Sequence, residues 1–171
     1  MSLHTNYQFT TNWFENTAKG VWDSLIPTLK PKRILEIGSY EGASTCYLIK
    51  TLGANRDTEI HCVDTWQGGI EHQPDGNAPA NMSTVETRFH HNTKIALREV
   101  NDSARLFVHK GFSDLVLSKL LAQGMQGYFD FVYVDGSHQA PEDHRAGHHR
   151  RPERPRRADP RGQIGRASCR E

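Results

Sequence analysis

The 171-residue sequence has few cysteines and no long apolar run. Its three cysteines, Cys46, Cys62 and Cys169, form no CxxC pair, so their spacing predicts neither a disulfide framework nor a zinc site. No apolar stretch approaches the roughly 18–20 residues of a transmembrane helix. The N-terminus also lacks the basic start and apolar block of a secretory signal. We therefore expect a cytoplasmic protein without a membrane partner.

The C-terminal segment, residues 142–171, lacks lysine and contains one large aliphatic or aromatic residue, Ile164. Its nine arginines and five acidic residues give a net charge of +4, whereas residues 1–141 carry a net charge of −3. A segment of this composition cannot bury enough apolar surface to offset the entropy of its chain. We therefore predict that residues 142–171 are disordered.

Residues 142–171 can be interpreted as an out-of-frame translation or as a natural basic arm. Arginine, histidine, proline, alanine and glycine dominate it, as expected when GC-rich coding DNA is translated in the wrong frame, and the final stretch IGRASCRE reads as a translated sequencing adapter. On this interpretation, which we favour, the natural frame is lost near residues 140–143. The chain by itself is then expected to fold poorly and to be inactive, and its function belongs to the intact parent enzyme. The alternative is an arginine-rich arm that contacts nucleic-acid phosphates.

The rest of the chain alternates predicted strands and helices. Apolar runs bounded by glycine and proline predict strands at 30–38, 59–66, 104–111 and 128–136. Apolar residues at three- and four-residue steps predict helices at 10–29, 42–53, 83–100 and 113–124. Ser83 and Glu86 form a capping-box pattern for the third helix, and Ser113 is the predicted cap of the fourth. This alternation predicts an α/β fold, a Rossmann-like parallel sheet of four strands with helices on both faces.

Ligands of such sheets bind at the carboxyl ends of the strands, and the first of these ends is the sequence EIGSYEGAS. Gly38 and Gly42 bracket a short loop there, where glycine permits a tight turn and the close approach of a ligand. Their spacing matches neither a dinucleotide-binding nor a P-loop pattern. Glu36 and Glu41 favour a positively charged ligand over a pyrophosphate. The alternative is an ordinary strand-to-helix turn.

The second and fourth strand ends also carry polar or aromatic residues. Asp64 can accept hydrogen bonds from the vicinal hydroxyls of a ribose, and Trp66 can offer a flat face to a base. The alternatives are that Asp64 caps a turn and that Trp66 packs at the sheet edge. Asp135 can bind a metal ion or orient a substrate, and His138 can act as a general base. Here the alternative is a solvated loop with two polar residues.

These motifs resemble those of the class I S-adenosylmethionine-dependent methyltransferases. ILEIGSYEGAST is similar to their first motif, CVDTW to their acidic second-strand motif, and FDFVYVDGSH to their fourth-strand motif. The combination with VDGSH resembles the O-methyltransferase branch that acts on small molecules. The resemblance covers about residues 20–140. It implies an N-terminal helical cap at 1–29 and a partial S-adenosylmethionine-binding domain at 30–141.

The resemblance also implies a role for each motif residue. Glu36, Gly38, Ser39 and Gly42 would bind the methionine end of S-adenosylmethionine. Asp64 would hold the ribose, and the adenine would lie between Trp66 and the turn formed by Phe112 and Ser113. Asp135 and His138 would be the catalytic residues, with Asp135 facing the substrate and His138 as the candidate base.

The implied function is methyl transfer to a hydroxyl of a small-molecule substrate, with no nucleic-acid partner. Metal-dependent members use a divalent cation, which acidic residues after a fifth strand help to bind. This sequence departs from that pattern, because no fifth strand follows. The alternative functions are a nicotinamide-dependent Rossmann oxidoreductase and a nucleic-acid-binding protein that uses the arginine-rich segment.

Overall fold

The four predicted strands are confirmed and form one parallel sheet. The structure is a computed structural model and describes residues 6–54, 57–69, 72, 74–76 and 78–136. The strands are β1 (Arg33–Ile37), β2 (Glu59–Asp64), β3 (Arg105–Lys110) and β4 (Phe131–Val134). Their order across the sheet is β3-β2-β1-β4, and each pair of neighbours is parallel. β1 therefore lies between β2 and β4, which brings the ends of these three strands together.

The described residues form five helices, two before β1 and one in each of the three connections between consecutive strands. They are α1 (Trp13–Asn16), α2 (Lys19–Leu29), α3 (Ala43–Leu52), α4 (Met82–Glu99) and α5 (Ser113–Ala122). The prediction of one continuous helix over 10–29 is wrong, because the chain leaves the helical conformation at Thr17, with φ −117° and ψ −80°. The Thr17 hydroxyl donates a hydrogen bond of 2.7 Å to the carbonyl of Trp13 and so caps the first short helix. Side-chain bonds of this kind compete with helix continuation.

The predicted caps of two helices are wrong. α4 begins after Asn81, whose side-chain oxygen accepts a hydrogen bond of 3.2 Å from the Ser83 amide. Glu86 does not complete a capping box, since its carboxylate binds the Lys110 ammonium at 2.6 Å. α5 has Phe112 at its cap position with no side-chain hydrogen bond, and Ser113 is its first helical residue.

The two faces of the sheet are covered unequally. One face carries the larger apolar cluster, in which α2, α3 and α4 pack against alternate residues of β1 and β2 such as Ile34 and Ile60. The opposite face carries α5, whose Val116 and Leu120 pack on Leu35 of β1. Helices on both faces are thus confirmed. The larger cluster fixes α3 and α4 around the loop that follows β1.

Candidate cofactor-binding and active site

The loop between β1 and α3 turns at two glycines with positive φ. Gly38 has φ +85° and Gly42 has φ +81°, a region that residues with a side chain rarely adopt. A Cβ atom on Gly38 would lie 2.6 Å from the carbonyl carbon of Asp135, at the end of β4. A Cβ atom on Gly42 would lie 3.0 Å from the ring of Phe89 in α4. Both glycines therefore let the loop pack closely on its neighbours.

Glu36 lies in β1 directly before this loop and is fully buried. Its carboxylate is surrounded by four side-chain donors: Ser39 at 2.7 Å, Ser44 at 2.5 Å, Thr45, and the thiol of Cys62 at 3.3 Å. Burial raises the pKa of Glu36, and these hydrogen bonds oppose the rise only in part. Four donors occupy about all the acceptor positions of a carboxylate. Glu36 thus organises the loop from inside, and its contact with the methionine end stays a prediction.

Asp64 ends β2 and joins the loop to the strand. Its Oδ2 atom accepts hydrogen bonds from the backbone amides of Ser39 at 2.8 Å and Tyr40 at 3.0 Å, and its Oδ1 atom accepts one from the Trp66 amide at 2.7 Å. A carboxylate offers about four acceptor positions, so about one remains for a ligand. The turn-capping role considered for Asp64 is therefore present, and its ribose contact stays a prediction.

Trp66 is packed in the core beneath the loop. Its indole N–H donates a hydrogen bond of 3.0 Å to the carbonyl of Tyr40, and its ring centroid lies 4.9 Å from that of Phe89. The residue is 4% exposed. The structure therefore shows the packing role considered for Trp66, and a contact with adenine stays a prediction.

Asp135 follows β4 and lies at the exposed rim of the loop. Its amide donates a hydrogen bond of 2.8 Å to the carbonyl of Ile37, and its Oδ2 atom accepts one of 2.9 Å from the Tyr133 hydroxyl. Burial of the phenol, and then this hydrogen bond, raise the pKa of Tyr133. Tyr133 thereby fixes the orientation of the Asp135 side chain. His138 lies outside the described residues.

The third strand end lies one strand further from the loop. The Gly111 amide donates a hydrogen bond of 2.9 Å to the carbonyl of Asp64, which ties the end of β3 to the end of β2. Phe112 and Ser113 follow at once, and both side chains are exposed. The structure thus brings the loop glycines, Asp64 and Asp135 into contact, while Phe112 and Ser113 stand at one side of them.

A family model described as a methyltransferase domain matches residues 35–152, more than two thirds of the chain. The chain belongs to this methyltransferase family. The match begins inside β1 and includes the loop, Asp64 and Asp135, so it confirms the resemblance carried by the sequence motifs. It also continues beyond the described residues, where the interpretation of residues 142–171 stays a prediction.

Two further proteins are similar to this methyltransferase domain. The uncharacterized protein y4gI of Sinorhizobium fredii (strain NBRC 101917 / NGR234) is 37% identical over 57 residues, which are 33% of this chain and 6% of that protein. The crystal structure of the O-methyltransferase from Bacillus cereus in complex with SAH matches with 22% identity and a TM-score of 0.44, over 70% of this chain and 44% of that chain. The matched regions span less than half of either protein.

Sequence reasoning missed several residues that build the methyltransferase loop. Ser44 and Thr45 lie at the start of α3 and donate to Glu36, a contact that the helical pattern of this segment does not predict. A buried strand carboxylate followed by small hydroxyl residues in the next helix is a signal that can identify such a network. Tyr40 was also missed, and it has φ +48° without being glycine. Strain of this kind is frequent at functional sites.

The described part of the methyltransferase domain has neither a metal cluster nor a membrane-spanning helix. No group of three or more His, Cys, Asp or Glu side chains there is arranged to hold a metal ion. Within the same residues, no helix combines the length and apolar character needed to cross a membrane. A divalent cation at Asp135 therefore stays a prediction drawn from metal-dependent members.

Proposed function

We propose that the protein to which this methyltransferase domain belongs binds S-adenosylmethionine and transfers its methyl group to a hydroxyl of a small metabolite. The observation that carries the proposal is the acidic environment of the glycine loop in a chain of the methyltransferase family. Asp64 holds one side of the loop, and Asp135 lies against Gly38 on the other. Carboxylates at this position favour a ligand with positive charge, such as a sulfonium with an ammonium group, over a phosphate.

Asp64 and Glu36 would contribute differently to binding such a cofactor. Asp64 retains about one acceptor position, enough for one ribose hydroxyl rather than the expected pair. Glu36 has no free acceptor position for a ligand. It would affect cofactor binding only through the loop conformation that its hydrogen bonds maintain. When bound, the cofactor supplies an electrophilic methyl group on its sulfonium. The protein must then hold the acceptor oxygen in line with that group and help to remove its proton.

Asp135 is the described residue best placed to orient the acceptor. It is exposed and directly follows β4. The Tyr133 hydroxyl donates to one of its carboxylate oxygens, while the other can accept a hydrogen bond from the hydroxyl of a substrate and so orient it. His138, three residues further along the chain, is proposed as the general base.

The loop hydrogen bonds disfavour the nicotinamide-dependent oxidoreductase. A dinucleotide-binding loop directs its backbone amides at a pyrophosphate. Here the amides of Ser39 and Tyr40 already donate to Asp64, and a phosphate in their place would lie beside that carboxylate. The nucleic-acid alternative depends on residues 142–171, which are not described.

Calorimetric titration with S-adenosylhomocysteine, NAD and a DNA duplex tests the proposal, on a protein in which the natural sequence replaces residues 142–171. Binding of S-adenosylhomocysteine alone is expected. Asp64→Asn should weaken that binding by about tenfold or more, because a hydrogen bond to a charged group is worth roughly 1.5–3 kcal/mol. Asp114→Asn, at an exposed position of α5, is the matched control. Preferential binding of NAD or DNA would contradict the proposal.

A further inference from the structure

The N-terminal segment is fastened to the glycine loop by a buried carboxylate. Glu41 accepts hydrogen bonds from the Thr10 amide at 2.6 Å and the Thr10 hydroxyl at 2.7 Å, and it pairs with the Arg88 guanidinium of α4 at 2.9 Å. Its side chain is nearly inaccessible to solvent. A carboxylate with these three contacts is compensated for its burial. Glu41 therefore does not present its charge to a ligand, contrary to the sequence-based expectation.

A buried amide secures the same segment at a second point. The side-chain oxygen of Asn92 accepts a hydrogen bond of 2.7 Å from the Gln8 amide, and its nitrogen donates to the carbonyls of Gln8 at 3.2 Å and Glu41 at 2.9 Å. Asn92 is fully buried. The backbone just before α1 is thus held against both α4 and the loop.

This attachment places three aromatic rings together beside the loop. The ring centroids of Trp13 and Tyr40 are 5.1 Å apart, and the His72 ring lies 5.9 Å from Trp13 and 5.3 Å from Tyr40. The planes of Tyr40 and His72 differ by only 22°. Three segments that are distant in sequence therefore contribute to one aromatic surface at the rim of the site.

Trp13 is the exposed member of this surface. It is 45% exposed, whereas the other two tryptophans, Trp22 and Trp66, are each 4% exposed. Glu41 and Asn92 hold the chain at Thr10 and Gln8, a few residues before Trp13, and so restrict where its indole can lie. The neighbouring Tyr40 has φ +48°, a backbone conformation that carries a conformational cost for a residue with a side chain.

We propose that Trp13, Tyr40 and His72 form the binding surface for the methyl acceptor, and that the acceptor is a hydroxylated planar aromatic ring. This inference rests on the proposed methyltransferase function, because Tyr40 lies in the loop between Gly38 and Gly42. A flat ring can stack on the exposed part of the indole, and such aromatic pairs contribute to affinity beyond the area they bury. A puckered saturated ring cannot stack in this way. Glu41 and Asn92 are positioning residues that hold Trp13 in place.

Paired ligands test this inference on the same protein, with the natural sequence in place of residues 142–171, saturated with S-adenosylhomocysteine. Naphthol and decahydronaphthol carry a hydroxyl on the same carbon skeleton, which is flat in the first compound and puckered in the second. Calorimetry should give a dissociation constant about tenfold lower for naphthol, as expected for one to three stacked ring pairs. Trp13→Ala should bring the ratio of the two constants close to one, and Trp13→Phe should preserve most of it.

Two controls separate the possible outcomes. Val21→Ala removes another exposed apolar side chain of the N-terminal helices and should leave the ratio unchanged. The affinity for S-adenosylhomocysteine should be the same in all variants. Equal binding of the two alcohols by the unmodified chain, or an unchanged ratio in Trp13→Ala, would overturn the aromatic acceptor surface alone. Failure to bind S-adenosylhomocysteine would instead contradict the proposed function.

Discussion

Glu36 places a carboxyl group in the core, where its charged form is disfavoured. Burial raises its pKa above the usual value of 4.5, so the folded protein holds this proton to a higher pH than the unfolded chain does. The protonated Glu36 carboxyl therefore stabilises the folded state relative to the unfolded chain. This stabilisation is complete below about pH 4.5 and is lost as pH rises through the raised pKa. Glu36→Gln removes this titration and keeps the shape of the side chain.

The difference in free energy of unfolding between the unmodified chain and Glu36→Gln should therefore depend on pH. Urea denaturation between about pH 4.5 and 7.5 should show the unmodified chain losing stability relative to the variant as pH rises. Glu15→Gln, at an exposed position of α1, is the control. A constant difference for Glu36→Gln would contradict the raised pKa.

Gly38 is required by steric contact as well as by its φ angle. In Gly38→Ala the new Cβ atom would lie 2.6 Å from the Asp135 carbonyl carbon, whereas Gly124, with φ +82°, has no atom within 4 Å of the same position. Gly124→Ala should thus cost only the conformational term of about 1–2 kcal/mol. Gly38→Ala should cost several kcal/mol more in urea denaturation and abolish binding of S-adenosylhomocysteine. Equal losses in the two variants would show that the contact with Asp135 is unimportant.

At the scale of single elements, the start of α4 gives a direct comparison of two candidate caps. Asn81→Ala removes the side chain that accepts from the Ser83 amide, and should lower the free energy of unfolding by about 1 kcal/mol. Ser83→Ala should cost less, because the Ser83 hydroxyl only supports the Asn81 side chain, at 2.8 Å. Chemical denaturation of both variants measures the difference. A larger loss in Ser83→Ala would restore the capping box predicted from the sequence.

The elements themselves could be predicted because strands and helices leave local patterns. The run from Ile34 to Ile37, bounded by Pro31 and Gly38, marks β1, and Gly42 and Gly53 bracket α3 as expected. Apolar periodicity identifies the face of a helix that is buried, but it does not report a backbone break such as that at Thr17. The predicted cap of α4 failed because the Lys110 ammonium of β3 binds Glu86, a contact between residues 24 positions apart.

The position of the candidate site could be predicted from the sequence, but the contacts of its side chains could not. Residues after parallel strands must meet at one edge of the sheet, which correctly brought Gly38, Asp64 and Asp135 together. The direction of each side chain depends on partners elsewhere in the chain. Asp64 accepts hydrogen bonds from loop amides 24 and 25 residues away. Most of the acceptor positions that were expected to bind a ribose are therefore used within the protein.

At the scale of the whole molecule, the sheet leaves apolar side chains exposed beside α5. On β4, Val132 is 52% and Val134 is 60% exposed, and Leu115 and Leu121 of α5 are also exposed. In the described residues β4 has a neighbour on one side only. Apolar surface next to an unpaired strand edge promotes association between chains.

Reducing this surface should therefore keep the chain monomeric to higher concentration. The double variant Val132→Thr and Val134→Thr keeps β-branched side chains and adds hydroxyls, so it should lower self-association in analytical ultracentrifugation. Val108→Thr, on the opposite edge strand β3, is the control and should have little effect. Equal association of both proteins would mean that the β4 surface does not drive it.

The strand order also implies an order of events during folding. Contacts between β1 and β2 join residues such as Glu36 and Cys62, which are 26 positions apart, and those between β2 and β3 span 46. The contact between Arg33 and Asp130 beside β4 closes a loop of 97 residues. Longer closures cost more entropy and slow folding. β4 should therefore join last, and in pulsed hydrogen exchange its amides should become protected after those of β2; simultaneous protection would contradict this order. A refolding chain must complete the other three strands before Asp135 reaches the glycine loop, so ligand binding should appear only in the final phase of refolding.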